Sequence, residues 1–316
     1  MNSISNIDTI YFLVFFENYC DNENLLSTLK SEKEKALSIA TDNASYKHMI
    51  TLNEMAFQLL PTGSRGYAYI IKNNGYEIKI AQYLSKMKNF APVQVRISSE
   101  YLWAYGLRNS YSFIFNWLTE TLGNIKEIKI SRVDLAMHIS NPDFITNYEN
   151  CYKGKFKKAS TLTTNKDINC LTFGSRSSPV YCRIYNKSLE ITEQKHKYWF
   201  HDIWQKNNMN IHNVWNVEFE VKSEFLRDFN ILTINDLLEH LSSLWEYFTS
   251  KWLVKVDRIH SRIERCPTCE LWEYIQKRLQ RLFFKRINKK RKTNFNGCSK
   301  IYSPYYWLYY LLCSLY

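Results

Sequence analysis

Glycine and proline are scarce in this chain, 8 and 6 of 316 residues. Long flexible linkers and collagen-like or low-complexity organisation are therefore excluded. No glycine-rich phosphate loop and no internal repeat occur. No basic-then-apolar run opens the chain as a secretory signal would. The eight cysteines are scattered, and reduced thiols in a cytoplasm are the simplest reading. Cys266-Pro-Thr-Cys269 is a lone C-x-x-C pair with no second pair at zinc spacing. Acidic residues are in the minority, 30 against 42 Lys and Arg, for a net charge of +12. That excess favours a polyanionic partner, nucleic acid first and an anionic membrane surface second.

What is present suffices for a large core, because 45% of residues are hydrophobic and 16% aromatic. Residues 7–16 are β-branched and aromatic and read as a buried strand. Apolar positions at helical spacing predict an amphipathic helix over 21–43. Strands follow at 55–61, 66–73, 75–83 and 93–98, and the Asn74-Gly75 step between the second and third marks a hairpin. A helical stretch is expected through 101–103 and 113–122, then a long strand at 125–140 and a short helix near 143–153. Strands are then expected at 159–163, 169–174 and 180–187, a polar loop at 190–212 and a strand at 214–222. Helices at 233–252 and 269–287 finish the pattern. Strands interleaved with and followed by helices predict an α+β fold, a mostly antiparallel curved β-sheet with flanking helices and a helical C-terminal part. Residues 1–290 form one body, and 291–316 form a basic, then aromatic-apolar tail.

Three strands carry the chemistry. In 131–139 alternation puts Arg132, Asp134, Ala136 and His138 on one face and apolar residues on the other. In 214–222 Glu218 and Glu220 share a face. In 180–187 Arg183, Tyr185 and Lys187 do. If these strands are neighbours, Asp134, Glu218 and Glu220 converge with His138 close by, a set suited to a hard cation such as Mg²⁺ or Mn²⁺. Tyr185 is then a candidate nucleophile for a phosphodiester, with Arg183 or Lys187 lowering its pKa or holding the phosphate. The plain alternative is three polar faces that only meet water. Periodicity does not select Tyr185 over Tyr181 or Tyr198.

The succession IDTIYFLVF, SRVDLAMH, FGSRSSPVYCRIYNKSLE and WNVEFEVK resembles the replication initiation factor family. Its members are rolling-circle plasmid initiators of low-GC bacteria and related relaxases of integrative conjugative elements. The matching stretches are Arg132–Ala136, Gly174–Ser177, Arg183–Glu190 and Val217–Val221. The resemblance implies a metal-dependent DNA endonuclease and strand transferase whose tyrosine becomes joined to a 5′-phosphate and frees a 3′-OH. It implies Tyr185 as nucleophile, Lys187 and Arg183 as phosphate contacts, and Asp134, Glu218 and Glu220 as the metal site. The chain departs from the pattern at His138, where the family often has Asp, and at Asn216, where it often has a basic residue. A His-hydrophobe-His pair is lacking. The implied partner is origin DNA, single-stranded or cruciform at the nick; a host helicase and a second copy of the chain are further candidates, and no small-molecule cofactor is expected. The rival reading is a sequence-specific DNA-binding protein on the same scaffold that does not cleave.

From Lys277 to Lys292 there are nine Lys or Arg and no acid. In a nicking enzyme such a run suits non-specific phosphate contact. The candidate DNA contacts are Arg176, Lys277, Arg278, Arg281, Lys285, Arg286, Lys289 and Lys290. The last 16 residues, IYSPYYWLYYLLCSLY, are uncharged, too short and too interrupted by Pro304 for a usual membrane span. Packing on the body, a partner and a membrane surface all stay open for them.

Overall fold

In the computed structural model the described residues are 1–17, 23–42, 47–82, 90–145, 151–164, 167–193 and 197–277. Eleven strands form one sheet in the order β2-β3-β4-β5-β6-β1-β7-β12-β11-β10-β9. These are β1 (Asn2–Phe16), β2 (Met49–Leu52), β3 (Met55–Leu59), β4 (Tyr69–Lys72), β5 (Tyr76–Ile80), β6 (Val93–Ile97), β7 (Ile125–Ser140), β9 (Ala159–Thr164), β10 (Asp167–Gly174), β11 (Val180–Asn186) and β12 (Val214–Lys222). Every neighbouring pair is antiparallel. A separate pair joins β8 (Tyr152–Gly154) to β13 (Leu253–Lys255). The expected α+β architecture is therefore present.

One face of the sheet is apolar because alternate residues of each strand are. Phe12, Val14, Val95, Ile78, Val133, Leu135, Val217, Phe219 and Ile184 are all buried there. They pack with helices α1 (Glu23–Asp42), α2 (Ser99–Leu122) and α6 (Ile234–Tyr247) in one continuous core. Helix α6 starts at a capping box in which Thr233 and Asp236 satisfy each other's backbone N–H groups, a local stop signal written in the sequence. The opposite face carries the ionisable residues. A second, smaller cluster covers one end of it, where α3 (Lys187–Glu193) and α4 (Trp199–Lys206) pack Ile191, Phe200 and Trp204 beside Trp103.

Several expected boundaries shift. The helical stretch expected through 101–103 and 113–122 is helix α2, broken at Gly106, whose φ of 76° is outside the helical region. Residues 190–212, expected as a loop, contain most of α3 and all of α4. Strand β2 and the turn to β3 were not expected. Near 143–153 the described residues give a turn at 142–145 and then β8, so the short helix there is not seen among them. The final helix is described over 270–277, and a π-helical turn, Phe248–Trp252, ends the one before it. The rest of the basic run, the 290/291 boundary and the aromatic tail lie outside the described residues. No described helix is long and apolar enough to cross a membrane.

Candidate active site

The three chemistry-bearing strands are neighbours, in the order β7-β12-β11. Register then decides which side chains meet. Asp134 sits opposite Glu220. Glu218 lies between Ala136 and Arg183, and Asn216 lies between His138 and Tyr185. All of these share the face away from the main core. Burial is deep for a polar face: Asp134, Glu218, Glu220, Lys187 and Asn216 are buried, while Tyr185, Arg183 and Arg132 are partly exposed.

The phenol oxygen of Tyr185 has a full set of hydrogen bonds. It donates to Glu218 Oε2 at 3.1 Å. It accepts from Lys187 Nζ at 3.2 Å and from Asn216 Nδ2 at 3.0 Å. One donated and two accepted bonds are what a neutral phenol can make. Asn216 Nδ2 also donates to Glu218 Oε2 at 3.1 Å, and Arg183 holds the other carboxylate oxygen of Glu218. Lys187 opens α3 instead of ending the strand, so its reach to Tyr185 comes from the turn into the helix, not from strand alternation. Its buried ammonium is balanced by Glu190 at 2.6 Å. Burial pushes the Tyr185 phenol well above its ordinary value, and Glu218 and Glu190 add to this, with Arg183 acting in the opposite sense.

The other carboxylates are gathered by Arg132. It donates from Nε to Asp134 Oδ1 at 2.8 Å and from Nη2 to Asp134 Oδ2 at 2.7 Å, and the same Nη2 lies 2.9 Å from Glu220. Burial pushes the Asp134 carboxyl up to about 7, Glu218 and Glu220 adding to it while the Arg132 hydrogen bonds oppose it. Crowded acids of this kind have oxygen-donor chemistry that fits a hard cation. Among the described residues, however, no three His, Cys, Asp or Glu side chains are gathered in metal-holding geometry. Glu218 is turned to Tyr185 and Arg183, which leaves Asp134 and Glu220 as the facing pair.

His138 stands apart from the acids. Its Nδ1 accepts the indole N–H of Trp204 at 3.1 Å, which places the ring hydrogen on Nε2. A nitrogen carrying hydrogen cannot ligate a metal, so the expected role of His138 as a ligand does not match this geometry. The ring is fully buried, stacked on Trp103 at 4.7 Å and flanked by Phe200. Burial holds it well below the usual histidine range, and the cation of Lys187 contributes.

Tyr181 shares the face but sits opposite Glu220 with Arg176 over its ring at 5.7 Å. Tyr198 is exposed beside α4. Register thus separates the three tyrosines that periodicity did not. Lys277 is exposed and pairs with Glu273 at 2.9 Å. Arg278, Arg281, Lys285, Arg286, Lys289 and Lys290 lie outside the described residues. Cys266 and Cys269 are buried free thiols. Sequence reasoning gave Asn216 no role except as a departure; its signal is a lone amide in a strand where a Val or an acid would otherwise alternate.

No family model and no curated protein matches the sequence. Among solved structures, the chain is similar to a rolling circle replication initiator protein from Geobacillus stearothermophilus. The TM-score is 0.52 at 15% identity, over 89% of this chain and 97% of that one. The two share a fold over nearly the whole of each.

Proposed function

We propose that this protein is a site- and strand-specific DNA nicking–joining enzyme that initiates rolling-circle replication or conjugative transfer, with Tyr185 as nucleophile. The observation that carries the reading is the Tyr185 oxygen bonded at once to Glu218, Lys187 and Asn216. Its support from outside the chain is the fold shared with a rolling-circle initiator.

In the proposed reaction Glu218 takes the phenol proton as general base, being already its acceptor. Lys187 and Asn216 stabilise the negative charge as it forms on the oxygen. The phenol oxygen attacks the scissile phosphorus, a Tyr185 O–P bond forms to the 5′-phosphate, and the bond from phosphorus to the 3′ oxygen breaks. That oxygen takes a proton from solvent and leaves as a 3′-OH. Arg183, partly exposed beside Glu218, is placed to hold a non-bridging phosphate oxygen. We assign Asp134 and Glu220 to hold a Mg²⁺ or Mn²⁺ ion, with Arg132 released from them. Bound there, such an ion would neutralise phosphate charge and polarise the P–O bond.

The test is incubation of protein and Mn²⁺ with a supercoiled plasmid carrying the DNA that flanks the gene. Nicked circles with covalently attached protein support the enzyme. Retarded but intact plasmid supports the rival, a DNA-binding protein without cleavage.

A further inference from the structure

The ion-paired Arg132 belongs to a longer row. Counting residues directly opposite one another, Lys72 of β4 faces Glu77 of β5, Glu77 faces Arg96 of β6, and Arg96 faces Tyr11 of β1. Tyr11 faces Arg132 of β7, and Arg132 faces Lys222 of β12. Six consecutive strands therefore present one unbroken transverse line of polar side chains. It lies on the face that carries Tyr185, because Arg132 and Asp134 are two apart on the same strand without a bulge between them. All six residues are partly exposed.

We infer that this row is a track for a single DNA strand, crossing the sheet on the face that carries the nucleophile, six residues of β12 away from the register of Tyr185; the inference rests on the DNA reading of the site. Charge argues for it: the row itself carries four cations, Lys72, Arg96, Arg132 and Lys222, and one carboxylate, Glu77, with Arg132 engaged by Asp134 and Glu220 and Lys222 standing 4.0 Å from Glu220. Glu77 does not consume its neighbour, since Arg96 approaches it only to 4.0 Å, beyond hydrogen-bond distance. Among the described residues the buried Nε of Arg96 has no hydrogen-bond partner at all. Tyr11 lies between two guanidiniums, Arg96 at 5.8 Å and Arg132 at 5.1 Å from its ring centre. Alternating cations and an aromatic surface along a groove are the features that hold single strands without reading sequence.

The length agrees. Adjacent strands are about 4.8 Å apart, so the five steps span roughly 24 Å, the rise of about seven stacked nucleotides at 3.4 Å each. At its Lys222 end the row meets Arg176, whose carbonyl accepts from the Lys222 ammonium. Arg132 joins the two functions, since it grips Asp134 and Glu220 and also stands in the row. A phosphate arriving there draws it off the acids.

The experiment is fluorescence anisotropy of oligothymidylate 20 nucleotides long, titrated at several salt concentrations. It uses a Tyr185→Phe background so that cleavage plays no part. In the double variant Lys72→Gln/Arg96→Gln binding should weaken roughly tenfold at moderate salt, and the salt slope should fall by about 1.4, about 0.7 for each lost single-strand phosphate contact. A control pair away from the row, Lys30→Gln/Lys47→Gln, both exposed, should leave the slope unchanged. An unchanged slope in the row variant, or an equal loss in the control pair, overturns the track. Circular dichroism of each variant excludes unfolding as the cause. Failure of the plasmid to be nicked would sink the catalytic reading alone, because the anisotropy does not depend on it.

Discussion

Tyr185 is one of 23 tyrosines, and its surroundings set it apart. Its oxygen is the only atom of the three candidate tyrosines for which the described residues supply a carboxylate acceptor and two donors together. Lys187→Met should lower the cleavage rate by about 10²- to 10³-fold, the usual scale for loss of one donor to a developing anion, with plasmid binding retained. Glu218→Gln should lower it on a similar scale, because the proton acceptor is gone; single-turnover cleavage reads both effects. That Arg183 and Tyr185 share one face was legible from alternation, and Lys187 was grouped with them although the strand ends at Asn186. Asn216 was not legible, since an amide becomes informative only once register sets it opposite the phenol. His138 looked like a ligand because it alternates with Asp134, and only the indole of Trp204 shows which nitrogen carries hydrogen.

Among elements, the strands at 125–140 and 214–222 matched β7 and β12 because both alternate cleanly from end to end. Helix α4 was hidden by its polar residues, although Phe200 and Trp204 stand four apart and both are buried, the spacing of one helical face. The turn at Gly174 has a stricter demand. Its φ is +84°, and an added Cβ would lie 2.9 Å from the Val180 carbonyl oxygen. Gly174→Ala should therefore destabilise the β10–β11 hairpin by about 1–3 kcal/mol, seen as a lower urea midpoint. Since β11 carries Tyr185, catalysis should fall with it, while residues of β3 to β5 keep their amide protection. Three register irregularities between β1 and β7 were not predictable from alternation, because a bulge shifts the partner without changing the pattern in either strand read alone.

For the whole molecule, the buried His138 sets a pH dependence. Its folded pKa is depressed, so the unfolded chain binds a proton near pH 6.5 that the folded chain refuses. Stability is then full above about 6.5 and falls as pH drops below it, with a limiting slope of about 1.4 kcal/mol per pH unit. The raised Asp134 carboxyl acts in the opposite sense over the same range, so the fall is read as a difference: between pH 7.5 and 5.5 the urea midpoint of the protein should drop relative to that of His138→Gln, which keeps an acceptor for Trp204. An equal slope in the variant would assign the acid sensitivity elsewhere. The +12 net charge was readable from composition, but its distribution was not: only pairing across six strands reveals that Lys72 and Lys222, 150 positions apart, belong to one line.

The most direct measurement is digestion of the protein–DNA adduct after a cleavage reaction, followed by mass spectrometry of the nucleotide-bearing peptide. A 5′-phosphorylated nucleotide attached at Tyr185, absent in Tyr185→Phe, is the predicted result. An adduct on Tyr181, on Tyr198 or on any other residue, or free 5′-phosphate ends with no adduct, would contradict the account.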